Sequence, residues 1–406
     1  VGRKVAETHL DIWFEKGGSD MGDRVAVVAV SQTLYERSKD TQRPQEMLLE
    51  VVMDVRRQTG LGYGHEGLCI HGAITCSDDF WDTRTISNAA IGDVVGAHRR
   101  SEEKVAQTGT QAVLYAMACI LSGHYEIMLV AGHLKESLPA SRNLVTHHAF
   151  DPYLHRPVGL DFLSCAALQA RVYEEAWGVG PVQWAEAVVK SHRNGRKNPK
   201  VTGARELKVE DVLSSAPVAE PLRELDIYPR TDGAVAMILA SEQWATKITD
   251  RPVWIMGAGN CYDTYFLGDR DLARAPALTK AAKKAYGMAG IQDPTGEIHV
   301  AELSTHYSYE EFLFTEALGF CPEGQGLKLL EKGVTDLDGA LPVNPSGGPL
   351  VGFPTQVSGL TAVAECVLQL RGEAGGHQVE GARVALAHGA LGPCAQYHSV
   401  MILGKA

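Results

Sequence analysis

The chain has 406 residues, is 45% apolar and 21% charged, and carries a formal net charge of −11. That balance belongs to a globular protein with a large core and more than one structural unit, at the usual ~100–200 residues per domain. It argues against a polyanion-binding surface, so no nucleic-acid partner is expected, and no apolar run reaches the ~18 residues that would span a bilayer.

Residues 1–21 are mostly polar and charged, without a basic-then-apolar leader pattern, and form an N-terminal extension. The run Val25 to Val30 (VAVVAV) is continuous and apolar, as in a strand buried on both faces. A helical pattern follows from Pro44 to Thr59. Gln111 to Ser122 (QAVLYAMACILS) is apolar almost all round, which places a helix inside the protein, and Gly123 ends it. Tyr125 to Ala131 is a second buried strand.

The stretch of about 138–229 is less regular, rich in His, Arg, Asn and Pro, and reads as an insertion reaching over a site. It contains a basic cluster of Lys190, His192, Arg193, Arg196, Lys197 and Lys200. That cluster is either a solvated loop or a contact for a phosphorylated ligand. Ala234 to Ala240 is a third buried strand.

The plan then repeats. Val253 to Met256 is a strand, Leu360 to Leu370 an apolar helix, and Val384 to Ala387 and Ser399 to Leu403 are strands. The fold class is therefore α/β, one unit used twice, with halves at 22–250 and 251–406. Eight cysteines lie scattered, no two within three residues, which excludes a CxxC zinc or redox pair. Scattered cysteines in a large chain fit a cytoplasmic protein with reduced thiols.

Several motifs resemble the thiolase superfamily, over most of the chain from Gly22 onward. Arg230-Thr231-Asp232-Gly233-Ala234, leading to Ala240-Ser241-Glu242, is similar to the segment that closes a thiolase N-terminal half. Glu316 to Gly324 (EALGFCPEG) resembles the helix and loop after a thiolase catalytic loop. Asn344-Pro345-Ser346-Gly347-Gly348 with Gly359-Leu360 resembles the signature near the second central helix. The resemblance is nearest to sterol-carrier-type thiolases and to thiolases that work beside a small zinc-finger/OB-fold subunit. It implies the thiolase fold, layered α/β/α/β/α, with a homodimer core. It also implies coenzyme A as a substrate, no tightly bound cofactor or metal in this chain, and any zinc in a partner subunit.

Carbon–carbon cleavage beside a thioester needs an oxyanion hole, a nucleophile and an acid/base. The resemblance puts the family's nucleophilic cysteine at Ala106, so the usual nucleophile is lost; Cys119 lies deep in the following helix and reads as core. The sterol-carrier-type His-Asp-Cys-Phe loop corresponds to Ser304-Thr305-His306-Tyr307, which puts His306 at the acid/base cysteine. The usual Gly-His-Pro base corresponds to Gly352-Phe353-Pro354, and Phe353 moves no proton.

The remaining candidates are His306, Tyr309, His388 and Asn344 for catalysis, with backbone N–H groups near Gly348 and Gly389 for the oxyanion. His133, Arg142, His147, Arg156 and Phe353 are candidates to line the substrate. Each of these also has a plain structural reading. A titratable His suits proton transfer and a tyrosine hydroxyl can donate to an enolate, while Arg binds carboxylates bidentately.

The segments Ile91 to His98, Ser141 to His147 and Arg156 to Asp161 resemble a partner-dependent branch that includes the benzoylsuccinyl-CoA thiolases of anaerobic toluene degradation. That branch implies CoA-dependent thiolysis of a 3-oxoacyl-CoA into two acyl-CoA products. Two other readings remain: a retro-aldolase on a 3-hydroxyacyl-CoA, of the steroid side-chain type, and a non-catalytic acyl-CoA-binding scaffold.

Overall fold

The computed structural model describes residues 24–405; the extension expected over residues 1–21 lies outside the described residues. In chain order the strands are β1 (Val25–Gln32), β2 (Gly72–Cys76), β3 (Glu102–Lys104), β4 (Ile127–Lys135), β5 (Pro217–Ala219), β6 (Leu222–Arg223), β7 (Asp232–Ser241), β8 (Val253–Tyr262), β9 (Val300–Glu302), β10 (Val384–Leu391) and β11 (Tyr397–Lys405). The longer helices are α1 (Pro44–Thr59), α2 (Gly109–Leu121), α3 (Phe162–Trp177), α4 (Pro181–Gly195), α5 (Pro276–Ala289), α6 (Glu310–Ala317) and α7 (Ser358–Arg371).

The strand order is β3-β2-β4-β7-β1-β8-β11-β10-β9, with β5 and β6 a separate ribbon. The plan is used twice. In the first half β2 runs parallel to β4, and β4–β7 and β7–β1 are antiparallel. In the second half β9 runs parallel to β10, and β10–β11 and β11–β8 are antiparallel. The halves meet at β1 and β8 through Ala26 opposite Trp254 and Val27 opposite Val253. Helix α1 covers the outer face of the first half and α5 that of the second, while α2 and α7 lie between the halves against strands of both. The result is the layered α/β/α/β/α order.

Local chemistry sets the helix ends. Pro44 opens α1, the Glu46 carboxylate accepts the Arg43 N–H at 2.7 Å, and Gly60 ends the helix in the left-handed region at φ 70°. At the centre, a Cβ on Gly109 would overlap Leu360, and one on Gly359 would lie 3.0 Å from the Thr110 nitrogen. Glycine at both places lets the starts of α2 and α7 approach backbone to backbone. Helix α7 is buried nearly throughout. Helix α2 departs from the all-round burial expected of it: Tyr115 is 41% exposed, because one face turns away from both half-sheets.

The insertion is more regular than its composition suggested. Asp161 caps α3 by accepting the Ser164 N–H at 2.7 Å, and Gly178 ends it; Pro181 opens α4, which buries Trp184. Both helices bury alanine-rich faces, whose period is easily lost among the polar residues of their outer sides.

The basic cluster is neither a solvated loop nor an assembled patch. Lys190 is buried and paired with Glu311, Arg193 pairs with Asp336 and Arg196 with Glu206, and Lys200 donates to the Gln32 carbonyl at 2.8 Å. The scattered cysteines hold one surprise. Cys165 and Cys394, distant in sequence, are buried with their Sγ atoms 2.7 Å apart.

Candidate active site

The loop after β9 carries Ser304 to Tyr309 and turns directly into α6. Asn344 holds it from behind, in the left-handed region at φ 51°. Its Oδ1 accepts the Leu303 N–H at 2.6 Å and its Nδ2 donates to Thr305 Oγ1 at 2.9 Å. The insertion holds the loop from the front: the Tyr228 N–H donates to the His306 carbonyl at 2.8 Å, and Ile227 bridges to Tyr307. The start of α7 closes the third side, with Ser358 Oγ 3.3 Å from His306 Nε2.

Two cavities meet at this loop. The larger, of about 590 Å³, runs outward between the insertion and the segment after β1 and is lined by Arg142, His192, Leu350 and Gly352 among others. The inner one, of about 20 Å³, has room for about one water and is lined by His306, Glu310, Thr355, Gly392 and Cys394 among others. Phe162, Tyr228 and Tyr307 line both.

The electrostatics are those of a dry site. Burial, with the Arg142 charge, holds His306 down to about 3, so its ring is neutral at pH 7. Burial holds the Glu310 carboxyl up to about 8, against two backbone N–H groups that favour its anion. Tyr228 and Tyr307 are pushed upward by burial, so both hydroxyls keep their protons. Ser358 donates to the Thr355 carbonyl at 2.8 Å and Ser304 to the His388 carbonyl at 2.9 Å. The His306 ring meets the Ser358 hydroxyl through Nε2, and a hydrogen bond with the Thr355 backbone favours its protonated form without offsetting the burial.

The other sequence candidates fall into distinct places. His388 is fully buried beside the loop, with Nε2 3.0 Å from His398 Nδ1 and its ring edge-on to Phe314. Tyr309 is turned away from both cavities and donates to Gln169 at 2.9 Å. Arg142 lines the larger cavity, but its guanidinium is engaged by Glu136 at 2.7 Å and the Tyr228 carbonyl at 2.9 Å. His147 contacts the Leu160 carbonyl at 2.8 Å through Nδ1. Arg156 closes its own loop on the carbonyls of Phe150 and His148, each at 2.8 Å.

His133 lies in the core, 2.9 Å from Asp82. Phe353 packs on Tyr35 with ring centroids 5.4 Å apart. The Gly348 N–H is already taken by Ser346 Oγ at 3.2 Å, and Gly389 sits within β10 opposite Ser399. Ala106 is exposed, just before the Thr108 cap of α2, and its carbonyl accepts Gln356 Nε2 at 3.0 Å. The site therefore gathers His306, Tyr307, Tyr228 and Glu310. Sequence reasoning passed over the last two; the signal for Glu310 was an acidic residue in the first turn of a helix directly after the loop.

Residues 259–405 match the thiolase C-terminal domain-like family. The chain is 35% identical over 300 residues to the acetyl-CoA acetyltransferase of Methanothermobacter thermautotrophicus, covering 73% of this chain and 78% of that protein. It is 32% identical over 231 residues to the benzoylsuccinyl-CoA thiolase subunit BbsB of Thauera aromatica, covering 56% of this chain and 60% of that protein. It spans about half the length of the sterol carrier protein 2 relatives that it matches. Among solved structures, the Ltp2-ChsH2(DUF35) aldolase superposes with a TM-score of 0.80 at 21% identity, over 94% of this chain and 98% of that one, a likeness of fold.

Proposed function

The chain belongs to the thiolase superfamily, and from that premise we propose that it cleaves the carbon–carbon bond of a 3-oxoacyl-CoA by direct attack of free CoA, without a cysteine nucleophile of its own. The observation that carries this reading is the meeting of two cavities at Tyr228 and Tyr307, the larger of about 590 Å³, with His306 in the wall of the smaller one. In this reading it offers a neutral imidazole nitrogen and two protonated hydroxyls to a bound thioester and thiol.

In this reading the CoA thiol gives its proton to the His306 imidazole and its sulfur attacks the 3-keto carbon. The hydroxyls of Tyr307 and Tyr228 donate to the developing oxyanion, a role better suited to them than to the engaged N–H of Gly348. Holding both reactants in one dry site lowers the barrier by up to about 7–11 kcal/mol, so a covalent acyl-enzyme is not obligatory. Arg37, Arg205 and Arg230 stand around the larger cavity without an ion pair among the described residues. They suit the phosphates of CoA or a second carboxylate on the acyl group.

The likeness to the benzoylsuccinyl-CoA thiolase subunit BbsB supports 2-benzoylsuccinyl-CoA as the substrate to try first and an accessory subunit as a partner; a small zinc-finger/OB-fold subunit on a homodimeric core is what the resemblance in the sequence implies. CoA is a co-substrate here, not a resident cofactor, and the place of action is the cytoplasm. No described helix is long and apolar enough to cross a membrane.

A retro-aldolase is the second reading, favoured by the open hydroxyl of Tyr307. Free CoA decides between them. Thiolysis stops when CoA is omitted and is lost in His306→Ala, whereas aldol cleavage of a 3-hydroxyacyl-CoA proceeds without CoA. Activity of the complex unchanged in His306→Ala would leave the chain a scaffold.

A further inference from the structure

Glu310 opens α6 and is only 2% exposed, yet no cation pairs with it among the described residues; the Arg142 guanidinium, in the wall of the larger cavity, is held by Glu136. Its Oε2 accepts the His306 N–H at 2.6 Å and the Tyr307 N–H at 3.1 Å, which folds the carboxyl back over the site loop. Its Oε1 has no partner among the described residues, and the side chain lines the inner cavity beside His306. A cap for two N–H groups needs one oxygen; the second oxygen is left facing the place where bonds would change.

We propose that Glu310 is the proton donor of the site, delivering its proton to the carbon released when the carbon–carbon bond breaks. This rests on the thiolysis reading and completes its proton inventory. The S–H proton of CoA passes to the His306 imidazole as the C–S bond forms at the keto carbon. The tetrahedral oxyanion collapses, the bond between the keto carbon and the α-carbon breaks, and its electron pair passes into the enolate of the departing thioester. The α-carbon takes the Glu310 proton, and the proton on His306 then restores Glu310. One S–H and one C–C bond are lost, one C–S and one C–H bond are gained, and no oxidant or reductant is required.

The two groups are suited to opposite tasks because burial drives them apart: Glu310, near 8, holds its proton at pH 7, and His306, near 3, accepts one only as charge develops. The other titratable or charged groups around Glu310 include Tyr228, Tyr307 and Cys394 in the inner cavity wall, Tyr309 next to it on the chain, Arg270 beside Cys394, Arg142 with Glu136 near Tyr228, and Asp226, bound to Ser308.

The test is the pH profile of thiolysis for the wild-type complex, Glu310→Gln and Glu310→Asp, using 2-benzoylsuccinyl-CoA and free CoA. Glu310→Gln keeps an oxygen for the two N–H groups but offers no acid. Its kcat is expected to fall by about 10²–10⁴-fold, the usual contribution of a positioned acid, with KM little changed. The wild type should lose activity as pH rises through about 8, and Glu310→Asp should keep a carboxyl and move that limb.

Circular dichroism checks that each variant folds. If Glu310→Gln does not fold, the limb in Glu310→Asp decides, and an unmoved limb overturns the proposal. Glu310→Gln with full kcat and an unmoved limb overturns the role of Glu310 while thiolysis stands. Absence of CoA-dependent cleavage by the wild-type complex overturns both.

Discussion

The Arg142 guanidinium meets the fully buried carboxylate of Glu136 at 2.7 Å, and through Glu136 it ties three parts of the site together. Glu136 also accepts the Thr231 N–H at 3.2 Å and the Thr355 hydroxyl, so the insertion, the segment leading into β7 and the approach to α7 share one charge pair. Arg142 itself lies over the Tyr228 ring, 4.1 Å from its centroid. Removing one partner of such a pair leaves a buried charge, at a usual cost of about 3–5 kcal/mol. Arg142→Ala is therefore expected to lower the unfolding free energy by about 3 kcal/mol, the smaller of those values since Arg142 is partly exposed, which urea denaturation reads as a lower midpoint. Arg142→Lys should not restore it, because a lysine cannot make the forked contact.

Two neighbouring tyrosines should behave differently. Tyr307 lines both cavities, whereas Tyr309 gives its hydroxyl to Gln169 in the core. Tyr307→Phe is expected to lower kcat/KM by roughly 10²-fold with little change in stability. Tyr309→Phe should keep activity and lose about 1 kcal/mol of stability, the usual worth of one hydrogen bond. Paired kinetics and denaturation on the two variants would check this; the reverse pattern would move the reacting hydroxyl to Tyr309.

The chain's own thiols take no part in the proposed cleavage. Burial pushes Cys76 up to about 12 and the Cys366 and Cys394 thiols well above their ordinary value, so none of these is a ready thiolate at neutral pH. Brief treatment with iodoacetamide, removed before CoA is added, should leave cleavage within about twofold of the untreated protein, a change small beside the loss of a catalytic group. Loss of activity protected by substrate would point to a thiol nucleophile after all.

Stability should peak near pH 6–7. Burial holds His192, His306 and His398 to about 4, 3 and 3, and His388 low as well, against about 6.5 in the unfolded chain. Below pH 6.5 the unfolded chain binds protons that the folded one refuses, so stability falls with acid. Glu302 and Glu310 are held up to about 8, mainly by burial, against about 4.3 unfolded. Their contribution is fully present below pH 4.3 and is lost as pH rises through 8. Melting temperature against pH should therefore show a maximum near neutrality, with a shallower alkaline fall in Glu310→Gln.

The sequence made some features plain and hid others for physical reasons. The apolar runs at Val25, Ile127, Ala234 and Val384 were legible because a strand buried on both faces needs no periodicity to be recognised. The helices α3 and α4 were not, because their buried alanines and single aromatics are dispersed among polar residues. In the candidate site, His306 could be singled out through its loop. Tyr228 could not, because its contact with His306 is made by a backbone hydrogen bond between segments remote in sequence. The Cys165–Cys394 approach escaped the reading for the same reason.

The most direct test of the central claim is product analysis by mass spectrometry with isotopically labelled free CoA. The wild-type protein, co-expressed with the proposed accessory subunit, would receive unlabelled 2-benzoylsuccinyl-CoA and other 3-oxoacyl-CoA thioesters. The account predicts two acyl-CoA products, with the label only in the one that carries the former keto carbon, and neither product in His306→Ala. An aldehyde or ketone released from a 3-hydroxyacyl-CoA without labelled CoA, or no cleavage at all, would contradict it.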